Sequence, residues 1–275
     1  MGALRVNYGD LEVRVDVEPE AGLADNGNLD QDLTALILEV GTTARAADTA
    51  LCLFVDELQY VEEDELSALM TALHRAGQRQ SPMVIIGAGL PQLRARAGRA
   101  KSYAERLFAF MEVGPLPPEA AQQAIERPAR AEGVTFVDEA LQRIVETTQG
   151  FPYFLQEWAS HAWNEAEASP IGLGDVERAS EAATAALDDS FFRVRFDRLT
   201  EAERRYLRAM AELGAGPHRS GDIAAVLGRQ VNSLGPTRGQ LISKGMVWSP
   251  RHGETAFSVP LFDQFMLRTM ENNWR

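Results

Sequence analysis

The chain has 275 residues, 45% of them apolar, a net charge of −13 and a single cysteine. That is enough apolar material to bury a core and room for about two domains. It excludes an internal disulfide framework, a whole-surface nucleic-acid binder and, with no apolar run near the ~20 residues a bilayer demands, a membrane-spanning helix. The first residues lack the basic-then-apolar layout of a secretion signal, so the expected location is a reducing cytoplasm, with no membrane partner.

Residues 201–275 hold ten Lys or Arg against seven Asp or Glu, a balance of +3 that leaves −16 on residues 1–200. The C-terminal part is therefore locally basic. Only Lys101 and Lys244 are lysines.

In chain order, a short strand over Ala3–Asn7 turns at Tyr8-Gly9-Asp10 into an alternating strand. There Leu11, Val13, Val15 and Val17 are apolar, while Glu12, Arg14, Asp16 and Glu18 are polar. Pro19 to Asn28 reads as a loop. A helix follows over Leu29–Ala47, with Leu33, Leu36, Ile37 and Val40 on one face and Gly41 weakening its middle. Leu51-Cys52-Leu53-Phe54-Val55 is an unbroken run of apolar residues, the pattern of a strand buried on both faces in a parallel sheet. Asp56 and Glu57 then stand at the edge where open α/β sheets bind ligands. A short apolar strand ending in Asp-Glu is also an ordinary strand end, and both readings stay open.

Glu62-Glu63-Asp64-Glu65 places negative charge at a helix start, and Leu66, Leu69, Met70 and Leu73 form its buried stripe. Met83-Val84-Ile85-Ile86 is a second apolar strand, ending in Gly87-Ala88-Gly89, so strand, helix and strand form a βαβ unit with parallel strands. Arg94, Arg96, Arg99, Lys101 and Arg106 lead into a third strand over Phe108–Val113. On the residues alone they read as a solvated helix face, with Arg106, and after it Arg94 and Arg99, the candidates for any second role.

From Pro117 to about Leu187 the pattern is helical. Pro117-Pro118-Glu119 opens one helix, which Pro128 breaks or kinks, and Asp138 caps a second that ends at Gly150. The third helix begins in Gly150-Phe151-Pro152-Tyr153-Phe154-Leu155-Gln156-Glu157-Trp158. Phe154 and Trp158 read as core, while Phe151, Pro152 and Tyr153 are available to a purine ring.

Thr200-Glu201-Ala202-Glu203 caps a helix through Leu213, Ser220 caps a short one, and a third runs from Leu234 to Lys244. A hairpin follows, Met246–Trp248 and Thr255–Val259, and a closing helix runs from Leu261 to Trp274. Three helices and a hairpin make a winged helix-turn-helix. Its third helix presents Arg238, Gln240, Asn232 and Thr237 to base edges, and Arg229, Lys244, Arg251 and His252 to phosphate. Winged helices also serve as protein-docking modules, so DNA and a protein partner are both expected classes. His74, His161, His218 and His252 are scattered and have no zinc spacing.

The run ending Asp56-Glu57-Leu58-Gln59-Tyr60, the strand ending Gly87-Ala88-Gly89-Leu90-Pro91, Tyr103-Ala104-Glu105-Arg106-Leu107-Phe108 and the Gly150-Phe151-Pro152-Tyr153 helix start together resemble bacterial ATP-binding proteins of the AAA+ and STAND superfamily. More narrowly they resemble its archaeal-ATPase and origin-recognition-like group. The resemblance covers nearly the whole chain. It implies an α/β fold, an AAA+-like P-loop NTPase parallel sheet over residues 1–114, a helical lid over 115–190 and a winged helix over 191–275. In its terms the Asp56-Glu57 run is a Walker B motif, with Asp56 on Mg²⁺ and Glu57 on the attacking water. Arg106 is then the finger toward a neighbour in an oligomer, and Gly150 and Pro152, with Phe151 and Tyr153, lie at the nucleotide base.

The family's phosphate-binding loop, G-x-x-x-x-G-K-[ST], has no counterpart: the first lysine is Lys101, and no glycine spacing in residues 1–50 fits. The expected fold is thus an incomplete P-loop sheet, and ATP and Mg²⁺ are cofactors only with that loop supplied. Where the family has a polar residue at the end of the second strand, Gly87 and Ala88 stand here. Without the strand that precedes such a loop, Met83–Ile86 and Phe108–Val113 are expected to close on each other, or to admit a strand from another chain. The alternative function is non-enzymatic: a winged-helix DNA-binding or docking protein on a relic ATPase scaffold.

Overall fold

The computed structural model describes residues 4–8, 11–15, 27–270 and 274. It is a helix-rich α/β protein of two compact units, residues 1–111 and 112–275.

In the first unit, β1 (Leu4–Tyr8) and β2 (Leu11–Val15) form an antiparallel hairpin. The expected extension of β2 to Val17 lies outside the described residues. Helix α1 (Leu29–Ala46) starts at Asn28, whose side chain accepts from the Gln31 amide at 3.2 Å, with Asp30 and Asp32 in the first turn. Strand β3 (Leu51–Val55) pairs in parallel with β4 (Met83–Gly87), Leu51 beside Met83 and Val55 beside Gly87. Between them runs α2 (Glu63–Gln78), opened by a reciprocal cap between Glu62 and Glu65. Ile37 of α1 packs with Ala72 and Ala76 of α2 and with Met83. A Cβ on Gly41 would fall 2.7 Å from the Ser81 Cβ, so this mid-helix glycine admits the turn before β4.

The sheet departs from expectation in two ways. Helices cover one face only: Leu51, Leu53, Met83 and Ile85 are half-buried, whereas Cys52, Phe54, Val84 and Ile86 are exposed. Phe108–Val113 is not a strand; it pairs with neither β3 nor β4, and Met111 and Val113 are almost fully exposed. An apolar segment becomes a strand only where a ladder partner satisfies its backbone, and the expected closing onto β4 does not occur. Phe108 instead packs beside Leu66, Met70, Ala97 and Ala104, the core that α2 shares with α3 (Leu93–Ala100) and α4 (Ala104–Leu107).

The second unit begins with α5 (Pro118–Ala131), α6 (Asp138–Thr148), α7 (Pro152–Glu165) and α8 (Leu173–Leu187). Pro128 neither ends nor breaks α5. Proline cannot bond to the Ala124 carbonyl one turn back, and that carbonyl instead accepts from Gln156 Nε2 of α7 at 3.0 Å. Past α8 the chain continues through a π-helical turn, Asp188–Phe192, into α9 (Arg193–Asp197). Then follow α10 (Glu201–Glu212), β5 (His218–Arg219), α11 (Ser220–Leu227), α12 (Gly235–Ser243), β6 (Val247–Trp248), β7 (Glu254–Phe257) and α13 (Phe262–Thr269). The last strands form an antiparallel sheet ordered β5-β7-β6. One apolar core runs through the unit, from Ala121 and Ile125 to Phe265, Met266 and Trp274. Phe192, in the π turn, sits at its centre against Phe154, Phe262 and Phe265. Residues 173–197, which include the expected meeting point of lid and winged helix near residue 190, form one helical run.

Candidate functional site

Two hydrogen bonds stitch the ends of β3 and β4 together: Ala88 N–H donates to the Val55 carbonyl at 2.8 Å, and Leu58 N–H donates to the Ala88 carbonyl at 3.0 Å. Between them Glu57 takes a left-handed conformation, φ 57°, and its N–H donates to Asp56 Oδ1 at 2.7 Å. Left-handed backbone is disfavoured for a side chain of this kind. Surrounding bonds hold it there. Gln59, buried, donates from Nε2 to Glu57 Oε2 and accepts at Oε1 from the Leu90 N–H at 3.0 Å. Arg96 donates to the Gln59 carbonyl and, at 2.6 Å, to the Val61 carbonyl. Both carboxylates remain exposed to solvent.

This network accounts for the glycines at the end of β4 and just beyond it. A Cβ on Gly87 would lie 2.3 Å from Leu58 Cδ1, and one on Gly89 would lie 2.7 Å from Gln59 Oε1. Leu58 and Gln59 occupy the room a polar side chain would need. Sequence reasoning passed over Gln59 and treated Arg96 as part of a basic stretch, because neither carries a local signal of a contact made more than thirty residues away.

Asp56 and Glu57 offer adjacent oxygen ligands of the kind Mg²⁺ prefers. Among the described residues no group of three or more His, Cys, Asp or Glu side chains is placed to hold a metal. Arg106 is exposed on α4, while Arg94 lies over the Phe110 ring at 5.6 Å and Arg99 is 4.0 Å from Glu63.

In the second unit Gly150 is left-handed, φ 71°, and its carbonyl accepts from Leu116 N–H at 2.9 Å. Phe151 packs on Phe154 with ring centroids 4.7 Å apart. Pro152 sits exposed in the first turn of α7, and Tyr153, 46% exposed, stacks on Phe191 at 5.2 Å. Arg195 lies over the Phe191 ring, 3.6 Å from its centroid; burial, and then the charge of Arg198, lower its pKa.

Of the expected DNA contacts, Arg229, Asn232, Gln240 and Arg251 are exposed, as is His252, and Thr237 is half-buried. Arg238 is committed internally. Its guanidinium donates to Thr255 Oγ1 at 2.7 Å, Ser249 Oγ at 2.8 Å and the Glu254 carbonyl at 2.9 Å, tying α12 to β7. Lys244 is committed too, donating from Nζ to the buried Glu203 Oε2 at 2.7 Å and to the Arg198 carbonyl at 3.0 Å.

Among the described residues no helix is long and apolar enough to cross a membrane. The family described as Domain of unknown function (DUF8462) matches residues 189–266. None of the curated proteins matches the chain. Among solved structures, the RuvB Holliday junction branch migration motor of Thermotoga maritima is 18% identical over 82% of this chain and 80% of its own, with a TM-score of 0.43. Two variants of the same RuvB are similar: one at 17% identity, with coverage of 82% and 80% and a TM-score of 0.46, the other at 15%, with 83% and 94% and a TM-score of 0.40.

Proposed function

We propose that the chain is an ATP-binding protein of the AAA+ and STAND type, with Asp56 and Glu57 as its Walker B pair, residues 115–190 as a helical lid and residues 191–275 as a winged helix. In this reading it acts as a nucleotide-driven conformational switch. The observation that carries it is the pair of exposed carboxylates at the C-terminal end of a parallel strand, with Glu57 fixed in a strained backbone by Gln59 and Arg96. That is the sheet edge at which such folds handle phosphates, and strain of this kind persists where the surroundings over-determine it.

The residues present suit the cation but not the triphosphate. Asp56 supplies one carboxylate of the one or two that protein-bound Mg²⁺ ordinarily takes, while residues 1–50 contain no lysine to hold β- and γ-phosphates. No hydrolytic step is therefore assigned to this chain by itself. The expected result is Mg²⁺-dependent ATP turnover indistinguishable from buffer, measured by phosphate release, with Glu57→Gln unchanged from wild type. Clear turnover that Glu57→Gln abolishes would show that the site is complete without a phosphate-binding loop. Binding of ATP and Mg²⁺ only by a chain carrying such a loop is the positive test of the nucleotide reading.

A second reading, a DNA-binding or docking module, is favoured by the exposure of Arg229, Asn232, Gln240 and Arg251. Its surface is narrower than the sequence indicates, because Arg238 and Lys244 are held by the fold. In a gel-shift series at low salt, Arg229→Ala and Arg251→Ala are expected to weaken any complex by severalfold and to flatten its salt dependence. Arg238→Ala should instead lower the melting temperature, since it breaks the tie between α12 and the sheet. Absence of any shift for the wild-type chain at low salt removes DNA and leaves protein docking.

A further inference from the structure

The open face of the β3–β4 pair is apolar throughout. Register sets Cys52 beside Val84 and Phe54 beside Ile86, and all four are exposed: Phe54 to 75%, Val84 to 52% and Ile86 to 50% of their full surface. Parallel strands are ordinarily covered on both faces, and an uncovered face of this composition is an aggregation site unless something shields it.

The N-terminal hairpin has the matching property. Its Cα register places Leu4 opposite Val15, Val6 opposite Val13 and Tyr8 opposite Leu11, so the apolar positions coincide across the two strands. The alternate positions, Arg5 opposite Arg14 and Asn7 opposite Glu12, are polar. A lone two-stranded hairpin is marginal in water and needs an apolar surface to pack on.

We propose that the β1–β2 hairpin closes over the open face of β3 and β4 as a sheet-on-sheet cover, its polar positions outward. The two surfaces match in size: each is two strands wide, and all four strands are five residues long. Residues 16–28 join Val15 to the first turn of α1, a tether that spans up to about 43 Å when extended. Because hairpin and face belong to one chain, their meeting is intramolecular and does not depend on protein concentration, whereas cover by a second copy does. This inference is independent of the nucleotide reading.

Cys52 is the only cysteine and lies on the face in question, so its thiol reports the cover directly. N-ethylmaleimide labelling of the full chain, followed by mass spectrometry, is expected to be at least tenfold slower than labelling of the urea-unfolded chain, at a rate independent of protein concentration. Val6→Asp with Val13→Asp, and separately deletion of residues 1–15, should each restore fast labelling. Arg5→Gln with Arg14→Gln, which alters the outward positions, should leave the protection intact. Fast labelling of the wild-type chain overturns the proposal. So does protection that survives both hairpin variants, or protection that grows with protein concentration, which assigns the face to a second copy.

Discussion

Gly150→Ala is expected to destabilise the second unit by about 3 kcal/mol and to lower its melting temperature by about 10 °C in calorimetry. Two terms combine. Gly150 sits at φ 71°, where a side chain costs about 1–2 kcal/mol. An added Cβ would also fall 2.4 Å from the Leu116 carbonyl oxygen, a backbone atom of the residue whose own N–H donates to the Gly150 carbonyl at 2.9 Å. Relieving such an overlap means shifting main chain, at a further cost of about 1–3 kcal/mol. Gly150→Asn separates the terms. Asparagine tolerates left-handed backbone, so a variant as unstable as Gly150→Ala identifies the overlap as the dominant cause, and a clearly milder one identifies the conformation. A wild-type melting temperature in both would contradict the close approach itself. Because Gly150 fixes where α7 begins, the same variants should also disturb Tyr153 and its stack on Phe191.

Lys244→Met is expected to cost about 3 kcal/mol at neutral pH, the lower end of the range for orphaning a buried charge, since the lysine itself is partly in water. Glu203 is fully buried, its Oε2 accepting from Lys244 and from the Thr200 amide at 2.7 Å, while its Oε1 has no partner among the described residues. Burial pushes the Glu203 carboxyl up, but the Lys244 bond, the Thr200 bonds and the lysine charge outweigh it and hold the carboxyl below its ordinary value. A native value below the unfolded one means the group's stabilisation is fully present above the unfolded pKa of about 4.3. It is lost as the pH falls through the lowered native value. Removing the lysine leaves burial acting on a carboxylate with fewer compensating bonds, so the penalty of Lys244→Met should be largest near pH 7 and shrink toward pH 4, where protonation relieves it. Urea unfolding at both pH values measures this; an equal penalty at the two would refute a charge-based cause. The result also bears on function, because a lysine in this role is lost to phosphate recognition.

The elements whose information is local were legible from the residues alone. The stripe of Leu66, Leu69, Met70 and Leu73 marked α2, the Thr200–Glu203 reciprocal cap marked the start of α10, and the run Leu51–Val55 with Met83–Ile86 marked a parallel pair. The candidate carboxylates were legible too, since Asp56 and Glu57 follow the strand directly and a strand end must lie at the sheet edge. What failed depended on neighbours distant in sequence. Phe108–Val113 has strand composition but no ladder partner. Pro128 has a helix-breaking ring, but Gln156 satisfies the carbonyl it orphans.

The sequence by itself determined the elements whose signals are local, among them α1, α2, β3, β4 and α10, together with the acidic pair at the end of β3 and the absence of a lysine before Lys101, because periodicity, capping and composition act within a turn or two of chain. Only the tertiary structure decided that Arg238 and Lys244 serve the fold and that Gly87, Gly89 and Gly150 are demanded by close approach. It also decided that one face of the β3–β4 pair stands open. Each of these depends on which group arrives from elsewhere in the chain to share the space, and that contact, rather than any local preference, sets the energy.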